Sequence, residues 1–189
     1  YIRISTGTIP KWHFYNSDAV YLPMFYKDLF SSNYSILGWR HPPASYFFPD
    51  MLLYVILNFL TRNFHVAIML YGVIQSLLFI IGLMYLSTKV VGSRRSIQAL
   101  ILLASIVFFL LLATGECDVF LTILQSGYHF GVILSLIASL ILIVQILGCG
   151  GDHKKVALYA VILSVLSVLS VLSDALYLVQ FLIPVLLSL

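Results

Sequence analysis

Long apolar runs separated by short polar breaks fill the last two thirds of the chain. His65–Thr88 (HVAIMLYGVIQSLLFIIGLMYLST), Ile97–Thr114, Tyr128–Leu147 and Val156–Ser173 each hold roughly 18 to 24 residues almost free of charge. At 1.5 Å per residue such helices match a hydrocarbon core of about 30 Å. A helix satisfies its own backbone in lipid, so each run predicts a spanning helix. A single helix from Val156 to Leu189 would be about 50 Å long, too long for one crossing. The pattern therefore predicts a break near Asp174 and a partial fifth span over 175–189, kinked at Pro184.

The first 64 residues follow another pattern. Aromatic, proline and polar residues alternate in KWHFYNSDAVYLPMFYKDLF and GWRHPPASYFFPD, the mixture expected at a headgroup boundary. Ser17–Phe30 reads as a short helix with Ser17 as its cap and Pro23 near its first turn. Met51–Leu60 is too short to cross and suits a helix lying in or dipping into the interface. A competing reading makes Ala44–Leu60 a true span, with Pro49 and Asp50 buried mid-membrane.

Composition agrees with the pattern: 61% of the residues are hydrophobic and 9% charged, against about 25% charged in ordinary soluble domains. Mean hydropathy is +1.06. The fold class is all-α, a polytopic helical membrane protein with about four to five transmembrane helices and one or two interfacial helices. Residues 1–64 form the loop region and 65–189 the helix bundle. The chain begins with Tyr1 and ends in an apolar stretch, which reads as an excerpt of a longer protein. The net charge of +3, with no basic run and no Gly-rich loop, gives no sign of nucleic-acid binding.

Charge settles an expected orientation. KVVGSRR (Lys89 to Arg95) and GCGGDHKK (Gly148 to Lys155) together hold five basic residues and one acid. Short basic loops stay in the cytoplasm, so residues 1–64 are expected to be extracytoplasmic, in the plasma or cell inner membrane. Six of the seven acids then share the outer side: Asp18, Asp28, Asp50, Glu116, Asp118 and Asp174. Cys117 and Cys149 fall on opposite sides and are expected not to pair.

Carboxylates beside lipid are costly and usually face a cavity, a partner or water. Glu116 and Asp118 form an E-x-D pair that can share a divalent cation or split acid and base duties. His129, at the outer start of the third span, is placed to donate to a phosphate or pass a proton. Arg40 and His41, beside a rigid Pro-Pro, suit an anion. Each also has a plain structural reading as an interfacial loop residue. Ser164, Ser167, Ser170 and Ser173 wind around their helix and suit close packing, with a polar path to Asp174 as the lesser reading. Ser17–Phe25 and Ser173–Phe181 match at six of nine positions; chance in a biased composition and a trace of two related halves both account for it.

Taken together, NSDAVYLPMFYKDLF, MLLYVILNFL and the TGECDVF loop resemble the GT-C class of integral membrane glycosyltransferases over residues 12–130, mainly as topology. GWRHPPASYFFPDMLLY is also similar to bacterial multi-pass membrane proteins. The resemblance implies a sugar donor on a polyprenyl phosphate and an extracytoplasmic acceptor. It implies Asp18 as general base, with Glu116 and Asp118 orienting the acceptor or holding a divalent cation. Arg40 or Arg62 would steady the departing phosphate, with His41 and His129 near it and Asp174 lining the same cavity. No other cofactor is expected. The alternatives are a secondary transporter or channel subunit with an acidic outer-face site, and a non-catalytic membrane assembly subunit.

Overall fold

The computed structural model describes residues 20–32, 35, 44–91, 98–102, 104–105 and 129–188. Among them the secondary structure is helical throughout, with no strand. Three helices are long and apolar enough to cross a membrane: Phe64–Val90, Phe130–Leu147 and His153–Ser173. The protein is an all-α, multi-pass membrane protein. Of the span expected at 97–114, the described parts, 98–102 and 104–105, are helical; the rest lies outside the described residues.

Helix α1 (Tyr21–Ser31) begins later than the sequence suggests. Val20 takes the cap position without a side-chain bond, and Ser17 lies outside the described residues. Pro23 is the third helical residue, where its missing N–H would have had no partner anyway. Leu22 and Phe25 are the buried members of its inner face.

Helix α2 (Leu52–Thr61) follows a wide turn, Phe47–Met51. Within that turn Phe48 is extended, as the residue before a proline tends to be. The helix is short, as its apolar length predicts, so Ala44–Leu60 is not one continuous span. Arg62 ends it in the left-handed region at φ 50°, donating its N–H to the Asn58 carbonyl at 2.8 Å. Asn63 then starts α3 (Phe64–Val91): its side-chain oxygen accepts from the N–H of His65 at 3.0 Å and of Val66 at 3.3 Å. α2 and α3 thus form a tight helical hairpin. Tyr54 and Leu57 pack against Ala67, Ile68 and Tyr71, with Leu22 of α1 laid over them.

Helix α4 (Phe130–Leu147) runs parallel to α3. Phe79 meets Phe130 with ring centroids 5.5 Å apart, Gly82 meets Ile137, and Tyr85 bonds Gln145, in that order along both helices. Gly82 is required there: a Cβ would fall 2.5 Å from Ile137 Cγ2. A glycine turn then reverses the chain, with Gly150 at φ 54° and Gly151 at φ 95°, conformations glycine adopts without strain. Asp152 caps α5 (His153–Ser173) by accepting the Lys155 N–H at 3.2 Å.

The break at Asp174 is present. Asp174 is extended, at φ −153° and ψ 115°, and its carboxylate accepts the Leu176 N–H at 3.0 Å. The chain turns back after Asp174 and becomes helical again, through the wide helical turn Leu178–Leu182 into α6 (Ile183–Leu187). Pro184 sits in the first turn of α6, and the wide turn just before it lets Ile183 donate to Leu178. The disturbance expected from Pro184 takes this form. Tyr177 and Phe181 are buried against Val132 of α4 and partly buried Leu163 of α5, so the returning segment runs back along the bundle.

Candidate functional site

Residues 45–50 form a strap across the ends of α4 and α5. The last carbonyls of any helix lack intrahelical partners, and the strap supplies them to α5. The Ser173 carbonyl accepts from the N–H of Ser45 at 3.0 Å and of Tyr46 at 3.3 Å, and from the Ser45 hydroxyl at 3.3 Å. The Ser173 hydroxyl in turn accepts the Phe48 N–H at 2.8 Å. The last serine of the winding row is therefore a docking point for the strap.

Asp174, the next residue, is 4% exposed and pairs with Nδ1 of His129. A carboxylate only accepts, so Nδ1 carries the proton. In the neutral imidazole Nε2 then accepts, and the Tyr46 hydroxyl lies 3.3 Å from it. The His129 side chain is 44% exposed although both ring nitrogens are engaged. Tyr46 at φ 52° and His129 at φ 59° both occupy the left-handed region without being glycine. Such backbone is held in place by its surroundings and clusters at functional positions. Here two such residues touch, with ring centroids 5.3 Å apart.

At the other end of the strap Asp50 is 3% exposed. It accepts from the Tyr71 hydroxyl of α3, and its other oxygen lies against Gly131 in the first turn of α4. Burial pushes its carboxyl up to about 6, against the lowering effect of the Tyr71 bond; the charge of Asp174 adds to the rise. Below the strap, Phe48 and Pro49 line an apolar cavity of about 250 Å³ together with Leu78 and Gly82 of α3, Ile137 of α4 and Leu166 of α5.

The protein thus assembles a carboxylate–imidazole–phenol row, open to one side, next to a second, closed-off acid and an apolar cavity. Compared with protein-family models, curated proteins and solved structures, the chain has no match.

His129 and Asp174, both expected at the outer mouth of the bundle, are in direct contact. Arg62 is at the opposite end of α2 from the strap, with about 15 Å of helix between, and is not brought to them. Asp18, Arg40, His41, Glu116 and Asp118 lie outside the described residues. Among the described residues no group of three His, Cys, Asp or Glu side chains is placed to hold a metal ion. The sequence reading gave no role to Tyr71 or Gly131, took Tyr46 as a boundary aromatic and Ser173 as a packing serine, and buried Asp50 only in the competing reading. One signal for Tyr71 was available: a phenol inside an otherwise apolar run needs a partner.

Proposed function

We propose that this protein belongs to a membrane-embedded glycosyltransferase that moves a sugar from a polyprenyl-phosphate donor to an extracytoplasmic hydroxyl acceptor. The observation that carries this reading is the half-exposed imidazole of His129, oriented by buried Asp174. An imidazole held in one tautomer by a carboxylate, half-exposed and with its second nitrogen covered only by a phenol that an acceptor can displace, is the arrangement of a general base. In the proposed reaction the acceptor hydroxyl displaces Tyr46 at Nε2. The nitrogen takes its proton as the oxygen bonds to the anomeric carbon. The bond from that carbon to the phosphate oxygen breaks, and the polyprenyl phosphate leaves with the electron pair. The apolar cavity beside the strap supports the reading by offering room to hydrocarbon next to the polar row. Asp18 as first-loop acid and Glu116 with Asp118 in the second acidic loop belong to the same proposal, as do Arg40 and His41 near the phosphate.

The test uses the full-length protein in a deletion strain and in a purified transfer assay with a radiolabelled polyprenyl-phosphate sugar. His129→Gln and Asp174→Asn are each expected to lower transfer by about a hundredfold or more, the range of general base catalysis, at normal protein levels. Wild-type transfer in His129→Gln would sink the reading.

Buried Asp50 favours a second reading, a proton-coupled transporter, since an acid closed off among membrane helices commonly marks a proton site. Proton uptake into proteoliposomes, abolished in Asp50→Asn while sugar transfer is absent from wild type, would select that reading.

A further inference from the structure

We propose that Asp50 is a positioning residue: its carboxylate clasps the first turn of α4 at Gly131, and so keeps Tyr46 and Asp174 on the two ring nitrogens of His129.

The strap is attached at two points. Ser173 holds residues 45–48 against α5. Asp50 holds the far end against α3 through its bond to Tyr71 and against α4 by its close fit on Gly131. Tyr46 lies between these points, and its carbonyl accepts the Met51 N–H at 3.0 Å, which ties its position to that of Asp50. On the α4 side, Gly131 is two residues from His129, and the Val132 N–H donates to the His129 carbonyl at 3.2 Å. The carboxylate therefore links, through a few bonds on either side, the two residues held in left-handed backbone.

The fit leaves no slack. A Cβ built on Gly131 would meet Asp50 Cγ at 2.6 Å and Oδ1 at 2.8 Å. Any side chain at 131 would push the acid, and the strap with it, away from α4. Asp50 itself is closed off from solvent and is bonded to Tyr71, while the two nitrogens of the imidazole are taken by Asp174 and Tyr46, so its role is to position the strap. Its two oxygens have separate neighbours: one takes the Tyr71 hydroxyl and one faces the first-turn backbone of α4 at Gly131. Such a pair of acceptors on a short side chain is what a carboxylate supplies and an aliphatic residue of similar volume does not.

His129 reports on the clasp directly. Both ring nitrogens are engaged, so diethylpyrocarbonate should modify His129 slowly despite its exposure, relative to exposed His65 and His153 in the same molecule. That His129 is a reacting base rests on the transferase reading; the clasp does not. In the full-length protein in nanodiscs, with modification followed by mass spectrometry, Asp50→Leu should speed His129 modification about fivefold, as loss of a ring hydrogen bond allows. Tyr46→Phe should do the same. Asp50→Asn, whose amide keeps the shape of the carboxyl against Gly131, should stay near the wild-type rate and separate clasping from charge. If Asp50→Leu does not fold, Gly131→Ala breaks the clasp by another route and decides the matter. A wild-type rate for His129 in folded Asp50→Leu or Gly131→Ala overturns the proposal. In the transfer assay Asp50→Leu should lower kcat and leave the donor KM unchanged. Faster modification in a protein with no transfer activity would leave the clasp standing and remove the transferase reading.

Discussion

Folding sets the energetics of Asp50 through burial. Its carboxyl titrates at about 6 in the folded chain against 3.8 ordinarily. Between those values the folded protein holds a proton that the unfolded chain has released. Stability then falls as pH rises. The penalty is absent below about pH 4 and complete above about pH 6, and a shift of this size corresponds to about 3 kcal/mol. Asp50→Asn carries no such charge, so thermal unfolding in detergent at pH 4.5 and 7.5 should show the wild type losing stability relative to the variant at the higher pH. A difference between the two proteins that is the same at both pH values would contradict this. Nothing local in FFPDM announces the burial, because the partners that close it off, Tyr71 and Gly131, are far away in the chain. The sequence reading therefore placed Asp50 with the outer-side acids. His129 and Asp174 were legible because each stands at the end of a clear apolar run, where orientation alone puts both on one face.

At the scale of elements, apolar length located α2, α3, α4 and α5 well, and the chain reversal at Asp174 followed from the hydrocarbon thickness. The row of serines on α5 behaves as its three-residue step implies, turning gradually inward. Ser164 is exposed and donates only to the Ala160 carbonyl of its own helix at 2.9 Å. Ser167, half-buried, reaches the Tyr177 hydroxyl at 3.2 Å, and Ser170 and Ser173 are buried. Tyr177 also bonds the Ser139 hydroxyl at 2.5 Å, and Ser139 donates to the Ser135 carbonyl at 2.8 Å. The proton order follows: Ser167 donates to Tyr177, Tyr177 to Ser139, Ser139 to the backbone. This phenol joins the returning segment to both α4 and α5. Tyr177→Phe should cost about 1 kcal/mol, the scale of one or two such bonds in a membrane bundle. Ser164→Ala should stay within about 0.5 kcal/mol. Unfolding of both variants in the same detergent tests the contrast, and equal losses would show that the row acts as a uniform packing stripe. The two similar phrases fold alike over a short distance: Tyr21 meets Phe25 and Tyr177 meets Phe181 ring to ring, one helical turn apart in each. The resemblance goes no further, since α1 covers the α2–α3 hairpin while the second copy packs inside the bundle.

For the whole molecule, the proposed chemistry depends on which side of the membrane the strap faces. The bundle has two distinct ends. One carries the strap, His129 and Asp174, with the α2–α3 hairpin. The other carries Lys89, the glycine turn and Lys154 and Lys155. Asp152 at that second end pairs with Lys155 at 3.1 Å, and the Lys155 bonds keep its carboxyl below the usual range. One acid does not offset the basic excess that holds short loops in the cytoplasm. By that rule the strap end is expected on the extracytoplasmic side, where a lipid-linked sugar and its acceptor would meet in the proposed function. Single cysteines on a background of Cys117→Ser and Cys149→Ser decide it. His65→Cys, in the first turn of α3, should react with a membrane-impermeant maleimide in intact cells. Lys154→Cys, exposed at the start of α5, should react only after the membrane is permeabilised. The reverse pattern would turn His129 toward the cytoplasm. It would leave the geometry of the row intact but remove the extracytoplasmic acceptor, and a transferase reading would then need a cytoplasmic one.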